Sequence, residues 1–267
     1  MSFKLGLIGG GVMGEAILSR LIAKKVYLPE TVLVSEPLSA RRDYLQEKYG
    51  VEVTADNQAA ASVNEVLLLA VKPQALEAVV ASLHGERETS PVVVSILAGV
   101  PISRLEAAFP GQSVIRVMPN TPATVGAGMT AIASGSQVSS EQVSLAQSIF
   151  AAVGQVVEVP ESLLDAVTGV SGSGPAFVAI AVEALADGGV AAGLPRAIAS
   201  QLALQTVLGT AQLLQESGLH PAEVKDQVTS PGGTTIAGVV ELEKFGFRSA
   251  LIQAVQAAAR RSQELGQ

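Results

Sequence analysis

A glycine-rich turn near the start of the chain is the feature that most restricts its fold. The apolar stretch Lys4 to Gly9 predicts a short buried strand, and Glu15 to Ile22 carries apolar residues at helical spacing. Between them, Gly9, Gly11 and Gly14 form the pattern G-x-G-x-x-G. In that pattern the glycines permit a tight turn, the approach of a pyrophosphate and close helix–strand packing. This context predicts a dinucleotide site rather than the glycine-rich turn of another α/β fold. The cofactor-binding residues predicted from the turn are Gly9, Gly11, Val12, Met13 and Gly14.

Further apolar stretches predict the rest of a sheet. They are hydrophobic at every position instead of alternating, which is typical of parallel strands covered on both faces. They lie at 31–35, 66–73, 91–99 and 114–122, and two more strands are predicted at 129–133 and 155–159 around a helix at 141–150. Ligands of parallel sheets bind beyond the carboxyl ends of the strands, where small and polar residues collect in this chain. Those residues predict one shared ligand, with plain turn chemistry as the alternative at each corner. The corners are Gly9 to Gly14, Ser35, Ala70 to Pro73, Ala98–Gly99 and Met118 to Thr121, and the last includes Asn120, which we assign to the cofactor.

The end of the second strand bears on the type of nucleotide. An acidic residue at this place holds the ribose 2′-hydroxyl of NAD, whereas arginines beside it suit the 2′-phosphate of NADP. The chain offers both, because Ser35 and Glu36 are followed by Arg41 and Arg42. We predict NADP, leave NAD open through Glu36, and keep a solvated helix face as the alternative for the two arginines.

Net charge and residue usage argue against several classes of function. The chain has 267 residues, a formal net charge of −7 and no dense basic run, so nucleic acid and an anionic membrane surface are not expected partners. It has no cysteine and only two histidines, His84 and His220, so we predict neither disulfides, thiolate chemistry nor a metal site. Met1 to Lys4 does not have the form of a signal peptide, and no apolar run of membrane-spanning length is free of glycine or charge. We therefore expect a cytoplasmic protein that acts on a small molecule.

The second half of the chain predicts helices alone. After Pro160 no convincing strand remains. Helices are predicted at 161–192, with an interruption at 171–175, and at 195–216, 221–228 and 247–265, with Pro195 in the first turn of its helix. Because only 3% of all residues are aromatic, this Ala-rich segment forms no generous core alone, and we expect it to interlock with a second copy. The expected fold is an α/β Rossmann-like domain with a mostly parallel sheet at 1–160, and an all-α dimerisation and substrate-binding domain at 161–267.

One polar corner, Ser230 to Thr235, interrupts this helical half. Its Ser-Pro-Gly-Gly sequence is unfavourable inside a helix but suits a turn that starts a new one, capped by Ser230 or a neighbour. Gly232 to Thr235 would then present free backbone N–H groups, which attract anions such as carboxylates. Thr234 and Thr235 add hydroxyl donors. The alternative is a helix–helix corner whose polar residues only cap.

Few acid–base groups are available in the helical half. It offers Lys225, Lys244 and His220 and has no tyrosine. We interpret Lys225 as a surface residue, although it lies one turn before the corner, and His220 as structural. A dehydrogenase that acts on alcohols needs a general acid or base. A substrate that is already a protonated imine needs no strong acid. It needs its carboxylate held, its face presented to a nicotinamide and a hydroxyl near its nitrogen. The Ser230–Thr235 corner supplies such a set.

Several motifs resemble those of the pyrroline-5-carboxylate reductase family over essentially the whole chain. They are Gly9 to Gly14, Ala70 to Gln74, Arg116 to Pro122, Asp165 to Pro175, Ala186 to Gly189, Gly193 to Arg196 and Lys225 to Thr235, of which the last is the most specific. The resemblance implies hydride transfer from NAD(P)H to the C=N carbon of L-1-pyrroline-5-carboxylate, which gives L-proline in the final step of its biosynthesis. It also implies dimers, often assembled as rings of five dimers, with each site built at the dimer interface.

The resemblance also implies roles for individual residues. Ser35 and Asn57 would contact the adenosine ribose or its phosphate. The residues that would line the nucleotide are Ala70, Val71, Lys72, Pro73 and Ala98. The chain departs from the family pattern just before Ala98, because Ile96 and Leu97 are larger than the residues of many relatives at these positions. The substrate would be held by Ser230, Gly232, Gly233, Thr234 and Thr235. The Thr235 hydroxyl would be the catalytic group nearest the ring nitrogen, with a water molecule as the alternative proton donor.

Two other functions are kept as alternatives. A β-hydroxyacid dehydrogenase has a similar two-domain layout, but it relies on a lysine in the first long helix of its second domain. Ser171 to Gly193 contains no lysine. A non-catalytic NAD(P)-binding regulator would bind the nucleotide without turnover.

Overall fold

The chain folds into two compact units. The computed structural model describes residues 3–83 and 89–266, so Met1, Ser2 and His84 lie outside the described residues. The first unit comprises the chain up to Gly172 together with the chain from Ala257 onwards. The second unit is Ser173–Gln256. The domain boundary after residue 160 stays a prediction of the sequence.

A single eight-stranded sheet forms the centre of the first unit. Its strand order is β3-β2-β1-β4-β5-β6-β7-β8, and every neighbouring pair is parallel except β6 and β7. The strand order reverses beside β1, and in such sheets the ligand binds at this reversal. The predicted α/β fold with a mostly parallel sheet is confirmed. The strands are β1 Leu5–Ile8, β2 Val32–Ser35, β3 Glu52–Thr54, β4 Val66–Leu69, β5 Val92–Ser95, β6 Val114–Met118, β7 Gly128–Ser134 and β8 Gly154–Glu158.

Both faces of this sheet are covered, which explains the continuous apolar strands. In β4, Val66 and Leu68 pack into one core layer, and Leu67 and Leu69 pack into the layer on the opposite face. All four residues of this strand are at most 1% exposed. Because successive side chains of a strand point to opposite faces, a strand between two helical layers must be apolar throughout.

The edge strand β3 was not predicted. It has three residues, begins with the exposed Glu52 and pairs only with β2, so its sequence lacks the apolar run that marks the central strands. The short helix after it was also not predicted, because five residues are too few for a periodic pattern.

Helices flank the sheet and make up the second unit. They are α1 Val12–Ala23, α2 Ser39–Tyr49, α3 Asn57–Ala61, α4 Leu76–Ala81, α5 Ile102–Ala108, α6 Ser140–Ala151, α7 Leu164–Val167, α8 Gly174–Ala191, α9 Arg196–Ser217, α10 Pro221–Gln227, α11 Thr234–Lys244 and α12 Phe247–Gly266. The predicted interruption at 171–175 overlaps the end of a π-helix, Thr168–Gly172. The α-helix restarts at Gly174, with Pro175 in its first turn. Pro195 is the N-cap residue of α9 and not its first helical residue, because its ψ of 139° is extended. No strand follows β8 in the described residues.

Small residues bring α8 and α9 together in the second unit. Ala186, Ala199 and Ala203 form its buried cluster, and a Cβ on Gly189 would lie 3.1 Å from that of Ala199. Large apolar side chains remain outside this contact, and Ile180 is 64% exposed. A surface of this kind is typical of a face that another protein covers.

Two stretches of the described chain are long and apolar enough to span a membrane by length and composition alone. They are Glu161–Ala191 and Arg196–Ser217, with mean hydropathies of 1.4 and 1.2. The sequence expectation concerned uninterrupted apolar runs, whereas these helices contain glycines and charged residues.

Candidate functional site

The glycine-rich turn connects β1 to α1 where the strand order reverses. Gly9 has a φ of 107°, and a Cβ on it would lie 2.7 Å from the Ala70 carbonyl oxygen. A Cβ on Gly14 would overlap the Gly9 carbonyl oxygen, whereas one on Gly11 would meet nothing within 4 Å. Gly9 and Gly14 are therefore required by the fold, while Gly11 faces open space.

The start of α1 is free to bind an anion. Its N-cap residue is Gly11, which has no side chain to cap the first N–H groups, and Val12 beside it is 78% exposed. A helix start of this kind is suited to phosphate. The open face and the uncapped N–H groups fit the pyrophosphate of a dinucleotide.

A carboxylate on α1 ties this turn to α2. Glu15 accepts hydrogen bonds from Arg41, Tyr44, Lys48 and Tyr49. Burial raises the pKa of its carboxyl, but these four hydrogen bonds outweigh burial and lower the pKa to about 2. Arg41 also donates from Nε to the Gly10 carbonyl oxygen at 2.7 Å. The network therefore holds the glycine-rich turn against α2.

The two neighbouring arginines differ in their contacts. The Arg41 guanidinium is held by Gly10 and Glu15, whereas Arg42 donates from Nη1 to the carbonyl oxygens of Glu36 and Pro37 at 2.7 and 2.8 Å. Neither side chain belongs to a merely solvated helix face. Their adjacent positions after β2 did not distinguish their roles in the sequence.

Ser35 is the last residue of β2 and the first donor in a chain of three hydrogen bonds. It is 1% exposed, and its hydroxyl donates to Asn57 Oδ1 at 2.7 Å. Asn57 Nδ2 donates to the Ser82 hydroxyl at 2.9 Å, which in turn donates to the Val79 carbonyl oxygen. The structure thus brings Ser35 and Asn57 together, and Ser82 completes the chain without a sequence signal.

Glu36, the next residue, is nearly buried against the glycine-rich turn. Its Oε2 accepts the Gly10 N–H at 3.0 Å and its Oε1 accepts the Leu38 N–H at 3.1 Å. Only 8% of this residue is exposed. The carboxylate therefore lies at the end of β2, where Rossmann-like folds place the group that meets the adenosine ribose.

The strand ends after β4 and β5 continue this edge of the sheet. Lys72 and Ala98 are exposed, and the amide of Ala70 continues the sheet by bonding the Ile8 carbonyl oxygen. The large Ile96 and Leu97 pack into opposite core layers, so they leave Ala98 uncovered. Their size is therefore compatible with a ligand at Ala98.

Asn120, after β6, is engaged on both sides of its amide. Its Oδ1 accepts the Met129 N–H at 2.8 Å, and its Nδ2 donates to the Ser171 carbonyl oxygen at 3.0 Å. Ser171 belongs to the π-helix, and such helices occur often at functional sites. Asn120 therefore positions that segment, and its assignment to the cofactor stays a prediction.

The Ser230–Thr235 corner in the second unit starts α11. Gly232 has a φ of 67°, and the Gly233 N–H bonds the Ser230 carbonyl oxygen at 3.0 Å, which closes the turn. The expected side-chain cap by Ser230 or a neighbour is absent, because Gly233 is the N-cap residue and no side chain caps this helix. The first N–H groups of α11 therefore stay free, with Thr234 exposed and Thr235 half-buried beside them.

The nearby ionisable side chains have structural partners. Lys225 Nζ lies 2.7 Å from Asp226 Oδ1, and His220 Nδ1 accepts the Ala222 N–H, which makes His220 the cap of α10. The structural interpretation of His220 is thus confirmed. Within residues 3–83 and 89–266, no group of three or more His, Cys, Asp or Glu could hold a metal ion.

Comparison with known proteins agrees with this arrangement. Residues 161–265 match the family model described as pyrroline-5-carboxylate reductase dimerisation, so the chain carries a domain for oligomerisation. Residues 4–99 match the model described as NADP oxidoreductase, coenzyme F420-dependent.

Full-length relatives extend the likeness. A pyrroline-5-carboxylate reductase of Synechocystis is 68% identical over 266 residues, which cover 100% of this chain and 99% of that protein. The solved reductase of Coxiella burnetii superposes with a TM-score of 0.91 at 35% identity and full coverage of both chains. The solved pyrroline carboxylate reductase of Plasmodium falciparum, with NADP bound, superposes with a TM-score of 0.89 at 30% identity. The superposition covers 99% of this chain and 98% of that chain. The chain belongs to the pyrroline-5-carboxylate reductase family.

Proposed function

We propose that this chain reduces L-1-pyrroline-5-carboxylate to L-proline with NAD(P)H, the final step of proline biosynthesis. The observation that carries the proposal is the start of α11, where free N–H groups lie beside two threonine hydroxyls. No side chain caps these N–H groups, so they remain available to a ligand. That set suits a substrate with one carboxylate and one ring nitrogen.

The first unit supplies the cofactor residues of this proposal. The uncapped start of α1 takes the pyrophosphate, and Gly11 leaves room for it. When bound, the reduced nicotinamide supplies the hydride that the C=N carbon accepts. The residues proposed to line the nucleotide are Gly9, Gly11, Val12, Met13, Gly14, Ser35, Asn57, Ala70, Val71, Lys72, Pro73, Ala98 and Asn120.

The second unit supplies the substrate residues. The N–H groups at the start of α11 bind the carboxylate, because a helix N-terminus carries partial positive charge. The residues proposed to hold the substrate are Ser230, Gly232, Gly233, Thr234 and Thr235. The Thr235 hydroxyl lies nearest the ring nitrogen in this proposal, and either it or a water molecule delivers the proton. The corner itself contains no lysine, histidine or tyrosine, so the proton is assigned to this hydroxyl or to water.

The proposed working unit is a homodimer in the cytoplasm, with a decamer as the larger assembly to be tested. The exposed apolar side chains on α8 and α9 support it, because a second copy would remove them from water. Partners other than the small substrate, such as nucleic acid or a membrane, are not part of the proposal.

The test is the loss of NADPH absorbance by the purified chain with and without pyrroline-5-carboxylate. The proposal requires oxidation that depends on the substrate and yields proline in equal amount. Nucleotide binding without turnover would support the regulator alternative instead. Replacing NADPH with NADH in the same assay measures the cofactor preference, and a clear preference for NADH would contradict the expectation of NADP.

A further inference from the structure

The end of helix α12 packs within the first unit. The chain from Ala257 onwards belongs to that unit. Ser262 is 6% exposed, and its hydroxyl donates to Asp165 Oδ1 at 2.6 Å, across 97 positions of the sequence. A buried hydroxyl that loses its acceptor costs free energy, so this hydrogen bond fixes where the end of the helix lies.

One turn later, the same helix face makes a contact between two backbones. Gly266 lies four residues after Ser262, a spacing that puts both on one face of α12. A Cβ on Gly266 would lie 2.8 Å from the Gly99 carbonyl oxygen, and one on Gly99 would lie 3.4 Å from the carbonyl group of Leu265. Only the absence of a side chain on both residues allows so close an approach. Gly99 is buried as a result, whereas Ala98 beside it is exposed.

The turn that α12 contacts is the one that presents Ala98. It follows β5 and is closed by a hydrogen bond from the Val100 N–H to the Leu97 carbonyl oxygen at 3.4 Å. That distance is long for a backbone hydrogen bond, so the turn is held weakly by its own bond. Gly99 has a φ of 77°, which glycine adopts without strain but which does not by itself fix the turn. The neighbouring segments therefore determine where Ala98 lies.

The far side of this turn is held by a carboxylate. Glu161 Oε1 accepts the Ile102 N–H at 2.6 Å and an N–H of Arg116 Nη1 at 3.0 Å. Arg116 lies in β6 and is nearly buried, so the carboxylate is itself anchored to the sheet. The turn is thus fixed on one side through Ile102 and on the other through Gly99.

We propose that the last turn of α12, residues 262–266, positions the turn after β5 for the nucleotide. Ser262 and Gly266 are positioning residues, because they act through Gly99 on Ala98 and lie behind the exposed side of the turn. A turn already held in its bound conformation loses less conformational freedom when a ligand arrives, so the affinity for that ligand is higher. This role rests on the proposed nucleotide-dependent function, and it assigns to that function the end of the chain most distant in sequence from the glycine-rich turn.

Two measurements on full-length variants test this role. Hydrogen–deuterium exchange without nucleotide reports on the turn itself, and calorimetry with NADPH, well below the melting temperature, reports on binding. Ser262→Ala removes the hydroxyl, and Gly266→Val places a side chain against the Gly99 carbonyl group. The matched controls are Gln263→Ala, an exposed neighbour on the same turn, and Asp165→Asn, which keeps an oxygen to accept the Ser262 hydrogen bond.

Both test variants should loosen the turn without loosening the sheet. Exchange of the amides of residues 97–100 should be about 10-fold faster, whereas exchange of β1, Leu5–Ile8, should not change. The affinity for NADPH should fall by about 3- to 30-fold. The kcat at saturating NADPH should stay within about 2-fold, because the bound nucleotide restores the position of the turn. Both controls should behave as the wild-type chain does.

Other results would overturn the proposed role. Faster exchange in β1 as much as in residues 97–100, with unchanged NADPH affinity, would mean that the end of α12 only stabilises the unit. Wild-type values of local exchange and of NADPH affinity in both variants would have the same consequence. If Gly266→Val does not fold, the smaller change Ser262→Ala decides alone. A wild-type chain that binds no NADPH would overturn the proposed function as well, whereas normal wild-type binding with unaffected variants would overturn the positioning role alone.

Discussion

At the scale of single residues, Thr235 bears the most specific chemical claim. Its hydroxyl is the donor assigned to the ring nitrogen, beside free backbone N–H groups that hold the carboxylate. Thr235→Ala should lower kcat/KM for pyrroline-5-carboxylate by about 10- to 1,000-fold, as for the loss of one hydrogen bond in the transition state. Thr235→Ser, which keeps the hydroxyl, should retain most of the activity. Steady-state kinetics of both variants measure this, and equal activity of Thr235→Ala and wild type would remove Thr235 from the reaction.

Glu15 gives a prediction about pH. Its folded-state pKa of about 2 lies below the ordinary value of 4.5, so its contribution to stability is present above pH 4.5 and is lost as the pH falls towards 2. Glu15→Gln should therefore lower the free energy of unfolding by about 1–2 kcal/mol at pH 7, discounted for the exposed Lys48 and Tyr44. Urea unfolding at pH 7 and pH 3 measures this difference, which should shrink at the lower pH.

A variant of an exposed carboxylate is the control for Glu15. Glu52→Gln, on the edge strand, should change stability much less at pH 7. A difference between Glu15→Gln and wild type that is the same at pH 7 and pH 3 would contradict the assignment of the low pKa to Glu15.

Residue types and their spacing predicted which positions matter, but not how each side chain is used. The sequence marked Arg41 and Arg42 alike, because both lie about two turns of chain past β2 and carry the same side chain. Only the folded chain separates them, since α2 turns Arg41 towards Glu15 and Arg42 towards the carbonyl groups of the turn. Ser230 or a neighbour was expected to cap α11 with its side chain. The left-handed Gly232 instead puts Gly233 at the N-cap position, which leaves the helix without a side-chain cap.

At the scale of elements, the glycine-rich turn contains one glycine that the fold requires, Gly14, and one that only ligand binding requires, Gly11. Gly14→Ala should destabilise the chain by about 2 kcal/mol or more, because its Cβ would overlap the Gly9 carbonyl oxygen. Gly11→Ala should leave the melting temperature without nucleotide nearly unchanged, since its φ of −69° suits alanine and its Cβ meets open space. The same variant should lower the affinity for NADPH by about 10-fold or more, because the added methyl group would lie where a phosphate must reach the N–H groups.

Thermal melts with and without NADPH test the two glycine variants together. Equal losses of melting temperature for both variants in the absence of nucleotide would contradict the separate roles. So would normal NADPH affinity in Gly11→Ala.

Elements with a strong pattern were predicted, and elements without one were not. The central strands are continuous apolar runs because two helical layers cover them, and their positions were predicted from that property. The edge strand β3 and helix α3 are too short to have a period. The π-helix was predicted only as an interruption, since Ser and Gly residues signal a break but not the hydrogen-bond pattern that replaces the helix.

At the scale of the whole molecule, the fold class followed from the change of pattern along the chain. Continuous strands with glycine-rich and polar corners give way to Ala-rich helices that have too few large side chains for a core of their own. The same shortage explains why apolar side chains on α8 and α9 are exposed in a single chain. Assembly could be expected from composition, whereas the number of copies depends on surface shape, which composition does not encode.

The exposed apolar face yields a prediction about assembly. Ile180 and Leu204 are 64% and 61% exposed, and the double variant Ile180→Glu and Leu204→Glu should break the oligomer, because burying two unpaired carboxylates is costly. Analytical ultracentrifugation should then show a species of 27.2 kDa, the mass of one chain. Val125→Glu, an equally exposed position in the other unit, should keep the wild-type mass. An unchanged oligomer in the double variant would place the interface elsewhere.

The most direct test of the proposed reaction follows the hydride itself. The chain is mixed with pyrroline-5-carboxylate and NADPH that carries deuterium at the transferred position of the nicotinamide, and the proline formed is examined by mass spectrometry and NMR. Hydride transfer to the C=N carbon predicts proline that is one mass unit heavier, with its deuterium at C5 and one proline formed for each NADPH oxidised. Proline without deuterium at C5, or oxidation of NADPH without proline, would contradict it.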